Sequence, residues 1–151
     1  MTESLKKTNH LVRVYLSKNI FFVVGAVEMP PIFVWREVNL ALKAEINNKK
    51  GLAQAIETAR LQSMSRFHPG HGNPEIKPWN GEAQEIRNSA SASWSIWWNA
   101  DDSIDIDMLK PGRMYKKAVE WKKITDTKKT FISPVSSRDI AQEILSQIQT
   151  R

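Results

Sequence analysis

The sequence predicts an α+β fold, one domain of antiparallel strands covered by amphipathic helices, and three observations predict it. Apolar residues alternate with period two in two stretches, Leu11 to Val24 and Trp94 to Met108, each interrupted by a short polar break. Apolar residues recur at helical spacing in two others, from Leu52 to about Met64 and from Ile140 to Ile148. The chain has 151 residues, 41% of them hydrophobic and 25% charged, which suits a single domain with its own core.

In chain order, Val12, Val14 and Leu16 point one way. After Ser17-Lys18-Asn19, the residues Ile20, Phe22 and Val24 resume the alternation, which predicts a hairpin with one buried face. Gly25, Glu28, Pro30 and Pro31 should stop the second strand, because proline donates nothing to a ladder. Ile32 to Ile46 is mixed: Ile32-Phe33-Val34-Trp35 suits a short strand, and Glu37 to Glu45 is rich in helix formers. Asn47 to Gly51 is a polar break before the Leu52, Ile56, Ala59 helix. Phe67 to Trp79 holds His68-Pro69-Gly70-His71-Gly72-Asn73-Pro74 and reads as a loop. Glu82 to Ser93 suits a short helix and a Ser/Ala-rich connection.

Trp94, Ile96 and Trp98 alternate, Asn99 to Ser103 turns, and Ile104, Ile106 and Met108 alternate again. Asp105 and Asp107 then fall on the solvent side. Lys110-Pro111-Gly112 should end that strand. An irregular basic stretch with Tyr115 and Trp121 follows, then a strand-like Thr130-Phe131-Ile132. The last helix starts at Ser136 with Asp139 three residues on, an acidic variant of the capping box, and its stripe is Ile140, Ile144 and Ile148 with Leu145.

Each half therefore reads hairpin, proline break, irregular segment, helix. Leu52-Ala53-Gln54-Ala55-Ile56 also stands beside Ile140-Ala141-Gln142-Glu143-Ile144. The offsets are about 84 residues for the hairpins and about 88 for the helices. Residues 11–64 and 94–149 are thus a candidate pseudo-repeat inside one domain of residues 1–151. Amphipathic helices also resemble one another by default.

The formal charge is +6 with a pI near 9.7, which raises nucleic acid as a partner. Lys110, Arg113, Lys116, Lys117, Lys122, Lys123, Lys128 and Lys129 carry much of the excess, directly after the acidic Asp101, Asp102, Asp105 and Asp107. Basic beside acidic suggests a dipolar surface, either simply solvated or steering a protein partner, more than a phosphate groove. Cysteine is absent, so disulfides and thiolate chemistry are excluded. No apolar run approaches the roughly 20 residues of a membrane span, and Met1 to His10 lacks a signal-peptide core. The expected location is cytoplasmic.

Chemistry is sparsely marked. His68 and His71 beside Glu75 could ligate zinc or iron, but a third ligand is unassigned and Pro69-Gly70 implies a turn, so the plain reading is a loop. The aspartates lack the glycine and terminal glutamate of a calcium loop, and there is no nucleophile elbow, phosphate loop or dinucleotide fingerprint. The expectation is a protein that is not an enzyme and needs no cofactor and no metal. Of the six tryptophans, Trp94 and Trp98 share the apolar side of their strand. Trp97 lies on the other side, where it either packs or forms a binding hot spot. Trp79 and Trp121 raise the same question.

The strand pair around Val14 to Val24, the Pro-rich connection and the helix Gly51-Leu52-Ala53-Gln54-Ala55-Ile56-Glu57-Thr58-Ala59 resemble one group of contact-dependent growth inhibition immunity proteins. The group has glycine after the leucine, whereas Gly51 precedes it here. The resemblance implies a small cytoplasmic protein that binds one toxin domain, commonly a nuclease, one to one, and blocks its active site or substrate access. No family residue carries over. Immunity proteins against basic nucleases are often acidic, so this basic chain would suit an acidic toxin face or use Asp101 to Asp107. The toxin contacts expected from exposure are His68, His71, Trp79, Trp97, Arg113, Lys116, Lys117 and Trp121. The rival is a basic nucleic-acid-binding domain using Lys110 to Lys129 with Tyr115 and Trp121 to stack bases. A metal enzyme centred on His68 and His71 is the third class.

Overall fold

The computed structural model describes residues 9–29, 34–63, 79, 82–116, 118–124, 128–132 and 135–149. Strands β1 (His10–Ser17), β2 (Ile20–Met29), β3 (Val34–Glu45), β4 (Ala92–Trp98), β5 (Ile104–Tyr115), β6 (Ala118–Lys123) and β7 (Lys129–Phe131) form one antiparallel sheet. Its order is β3-β2-β1-β4-β5-β6, with β7 also on β5. Helices α1 (Lys49–Gln62), α2 (Glu82–Ser89) and α3 (Ser137–Gln149) complete the α+β fold. None of the described helices is long and apolar enough to cross a membrane.

The first hairpin turns on two residues, Lys18 and Asn19, at φ of 52° and 65°. Positive φ at both central positions matches the right-handed twist of the flanking strands. Ser17 therefore faces Ile20, and the register pairs Leu16 with Phe21 and Val14 with Val23. This corrects the alternation read from the sequence. Phe21 and Val23, not Phe22 and Val24, join Val12, Val14 and Leu16 beneath α1 and α3. Both faces of the hairpin are buried, since Tyr15 and Val24 enter a second cluster with Trp79, Ala83, Ile86 and Ala90 on the opposite face.

Two further expectations fail beside it. Gly25 does not end β2; it lies inside the strand because α1 crosses there, and a Cβ at this position would sit 2.5 Å from the Ala59 carbonyl oxygen. The helix formers of Glu37 to Glu45 form the edge strand β3 instead. Pairing with β2 outweighs a local propensity worth only tenths of a kcal/mol per residue. Between Val23↔Leu42 and Gly25↔Val38, β3 takes four steps against two along β2, a bulge that breaks the edge ladder.

The helices follow the sequence reading. Asn48 caps α1 by accepting from Gly51 N–H at 2.9 Å, and Leu52, Ala55, Ile56 and Ala59 are its buried stripe. Ser136 caps α3 reciprocally: its Oγ accepts from Asp139 N–H at 3.2 Å, and Asp139 Oδ2 accepts from Ser136 N–H at 3.3 Å. Ile140, Ala141 and Ile144 are buried, with Leu145 and Ile148 packed at the margin. One turn further, Gln147 is buried and accepts the Trp94 indole N–H at 3.0 Å, which satisfies a core tryptophan. The expected short helix near Glu82 is α2, on the other face of the sheet.

In the second hairpin, Trp94, Ile96 and Trp98 face the same side as Ile104, Ile106 and Met108, as expected. The turn is held by Asp101, whose carboxylate accepts from Ser103 N–H at 3.0 Å and Ser103 O–H at 2.6 Å. Those bonds hold the Asp101 carboxyl below its usual range. Pro111 does not end β5. The strand runs on to Tyr115 with an irregularity between Pro111 and Met114, and the supposedly irregular basic stretch is the strand β6 returning beside it. Gly112 permits this close return, because a Cβ there would lie 2.7 Å from the Glu120 carbonyl oxygen.

Candidate functional site

The pairing of β4 with β5 stops at Leu109, so beyond that residue β5 and β6 continue as a two-stranded arm. Its inner side is braced. Val119 N–H donates to the Asn88 side chain of α2 at 3.2 Å, and Trp121 stands edge-on to Tyr15 with ring centroids 5.9 Å apart. Its end is more open: Met114 is 57% exposed and Tyr115 52%. Arg113 and Lys116 lie over the Tyr115 ring, 5.8 and 5.4 Å from its centroid. Arg113 also pairs with Glu120 at 3.2 Å in the open. Lys110 and Lys122 are exposed along the same arm. An apolar ring and a flexible thioether framed by cations form a patch outside every buried cluster of the described residues.

Beneath the arm lies a different arrangement. The Glu37 carboxylate is buried on the sheet face away from α1, where it accepts from the Tyr15 hydroxyl at 2.6 Å and pairs with Arg87. Arg13 stands 3.9 Å from the same carboxylate. Burial first, then the carboxylate, pushes the Tyr15 hydroxyl far above its usual range, so it stays a donor. Burial opposes the charge on Arg87, yet Glu37 more than compensates and raises its pKa. Trp79 packs under Arg87 at 5.0 Å and against Tyr15 at 5.8 Å, while its backbone N–H closes on the Glu37 carbonyl at 3.1 Å. This cluster ties β1, β3 and α2 together.

The structure sorts the candidate contacts accordingly. Arg113 and Lys116 are on the exposed arm. Trp79 is a correction: it is only 4% exposed, because the edge of β3 and the Arg87 guanidinium take it in. Trp121 is half-buried against Tyr15 instead of standing among lysines, with its indole nitrogen enclosed. Trp97 is half-buried against Trp35, ring centroids 5.2 Å apart. His68, His71 and Lys117 lie outside the described residues. Met114 went unnoticed in the sequence, since nothing there marks Lys110 to Lys123 as a hairpin. Asp107 is a further correction: it is buried, not solvated, and pairs with Lys123 at 3.8 Å. Asp105 accepts from Thr130 at 2.7 Å and Asn99 at 3.1 Å, so the acidic group serves the sheet.

No protein-family model matches the chain, and no curated protein matches its sequence. A solved structure with the same fold is that of NMB0488, a protein of unknown function from Neisseria meningitidis. It covers 97% of this chain and 98% of its own at a TM-score of 0.62, with 9% sequence identity.

Proposed function

We propose that the protein is an immunity protein of the contact-dependent growth inhibition type. It binds the C-terminal domain of one cognate toxin, a nuclease, one to one in the cytoplasm and occludes its active site or substrate access. The observation that carries the reading is the end of the β5–β6 arm, where Met114 and Tyr115 are exposed between Arg113 and Lys116. Tyrosine and arginine are the residue types that dominate binding hot spots, and a half-rigid aromatic loses little entropy on docking. The exposed lysines Lys110 and Lys122 beside them would steer an acidic toxin surface and speed encounter.

The test is co-purification with the last 200 or so residues of the protein encoded immediately upstream, a length that holds one domain. The expected result is a one-to-one complex that protects cells from that fragment. Tyr115→Ala and Arg113→Ala should each weaken it by more than about tenfold. Absence of a complex would overturn the reading. In that case, binding to arbitrary single-stranded DNA or RNA that falls steeply with salt would assign the arm to nucleic acid.

A further inference from the structure

On the other side of the molecule, α1 and α3 run antiparallel and leave an open groove of about 590 Å³ between them. It is lined by Lys49, Lys50, Ala53, Gln54, Glu57 and Arg138. The two helices are tied across it by Lys49 Nζ donating to Gln142 Oε1 at 3.0 Å and Ser137 Oγ donating to Glu57 at 2.8 Å. The first bond matters most, because it fixes one ammonium group at the groove with a single one of its three donors. Three cationic residues thus line the groove with one carboxylate, and that carboxylate is already taken by Ser137 and by Arg60 at 3.9 Å. No ion pair to Lys49, Lys50 or Arg138 occurs among the described residues. The first turn of α1 carries no acidic side chain to oppose an incoming anion.

We infer that this groove is a binding site for a small molecule bearing more than one phosphate group. Two lysines act as point charges, which suits tetrahedral phosphate better than planar carboxylate, for which paired arginine forks are the fitting donors. The volume lies within the range of small-molecule sites and exceeds what two phosphates fill, so an organic part can rest on Ala53. The site lies apart from the arm and stands independently of the toxin reading.

Inorganic pyrophosphate is the probe for the charged half. Titrated into the full chain and followed by calorimetry and by melting temperature, it should bind saturably at constant ionic strength. Lys50→Gln and Arg138→Gln should each weaken it about fivefold, as expected for charge-assisted bonds in a half-open site. Lys50→Arg, which keeps the charge, should retain binding within about twofold, and Lys122→Gln on the arm should leave it unchanged. Three results would overturn the inference: a melting shift reproduced by sodium chloride alone, binding untouched by Lys50→Gln and Arg138→Gln, or binding lost in Lys122→Gln. Citrate binding as tightly as pyrophosphate would overturn the phosphate assignment.

Discussion

Replacing Glu37 by glutamine tests whether the buried charge cluster holds the sheet to α2. The carboxylate is 3% exposed and serves three partners, Tyr15, Arg87 and Arg13. Glutamine keeps the volume and an acceptor oxygen but removes the charge, so two guanidinium groups then lose the carboxylate they share. Breaking a fully buried pair costs about 3–5 kcal/mol. Here the arginine side chains are 34% and 36% exposed, so water compensates part of the loss, and about 2 kcal/mol is the appropriate figure. For a domain of this size that lowers the melting temperature by about 4–8 °C. Urea denaturation of Glu37→Gln, Arg87→Gln and the double variant should give a coupling energy above about 1 kcal/mol. A Glu37→Gln variant within about 0.5 kcal/mol of wild type, or additive single effects, would refute the argument that the cluster is cooperative.

Three other perturbations follow from the same geometry. Gly25→Ala should cost about 1–3 kcal/mol of unfolding free energy, measured by urea denaturation, because its Cβ meets the Ala59 carbonyl oxygen at 2.5 Å and α1 must shift. Ser136→Ala should cost about 1 kcal/mol, by loss of the reciprocal cap of α3, and Ser136→Thr, which keeps the hydroxyl, should recover most of it. Burial, offset in part by the Ser63 carbonyl, holds the His10 pKa below its unfolded value of 6.5, so the folded state binds the proton later than the unfolded chain. Stability therefore falls as pH drops below 6.5 and levels off below the folded pKa. The midpoint of His10→Gln should fall less than that of wild type between pH 7.5 and pH 5.5.

What the sequence revealed and what it hid divide along physical lines. Both helical stripes and the Ser136 box were legible because they depend on spacings of three and four residues within one segment. The second hairpin was legible because its apolar residues alternate with period two over one buried face, its core side being Trp94, Ile96 and Trp98. The first hairpin misled by one residue. A strand buried on both faces has no empty phase, so Phe21-Phe22-Val23-Val24 offers two equal alternations, and only the two-residue turn at Lys18-Asn19 decides between them. Helix propensity in Glu37 to Glu45 lost to pairing with a strand that is distant in the argument of local preference but adjacent in space. The arm was hidden by Pro111 and Gly112, which normally end strands and here shape the bulge that bends one. Arg113 and Lys116 were chosen by exposure and are exposed; Trp79 was chosen on the same ground and is core.

The arm and the sheet carry separable loads, which bears on how a binding surface can change without loss of fold. The two larger buried clusters draw on β1, β2, β3, β4, α1, α2, α3 and on β5 only as far as Met108, and a third joins β2 to β3 at Val27 and Val38. Within the β5–β6 arm past Leu109, Trp121 reaches back to the second cluster as a half-buried member, and directly after β6 Ile124 packs against the first. Substitutions at Arg113, Met114, Tyr115 and Lys116 thus remove exposed area and solvent-screened charge, and surface changes of that kind stay within about 0.5 kcal/mol of neutral. A substitution at Trp121 does not, because Tyr15 and through it Glu37 lose a neighbour at 5.9 Å. Two side chains on one arm therefore answer to different constraints: Tyr115 is free to be shaped by a partner, and Trp121 is held by the core that orients it.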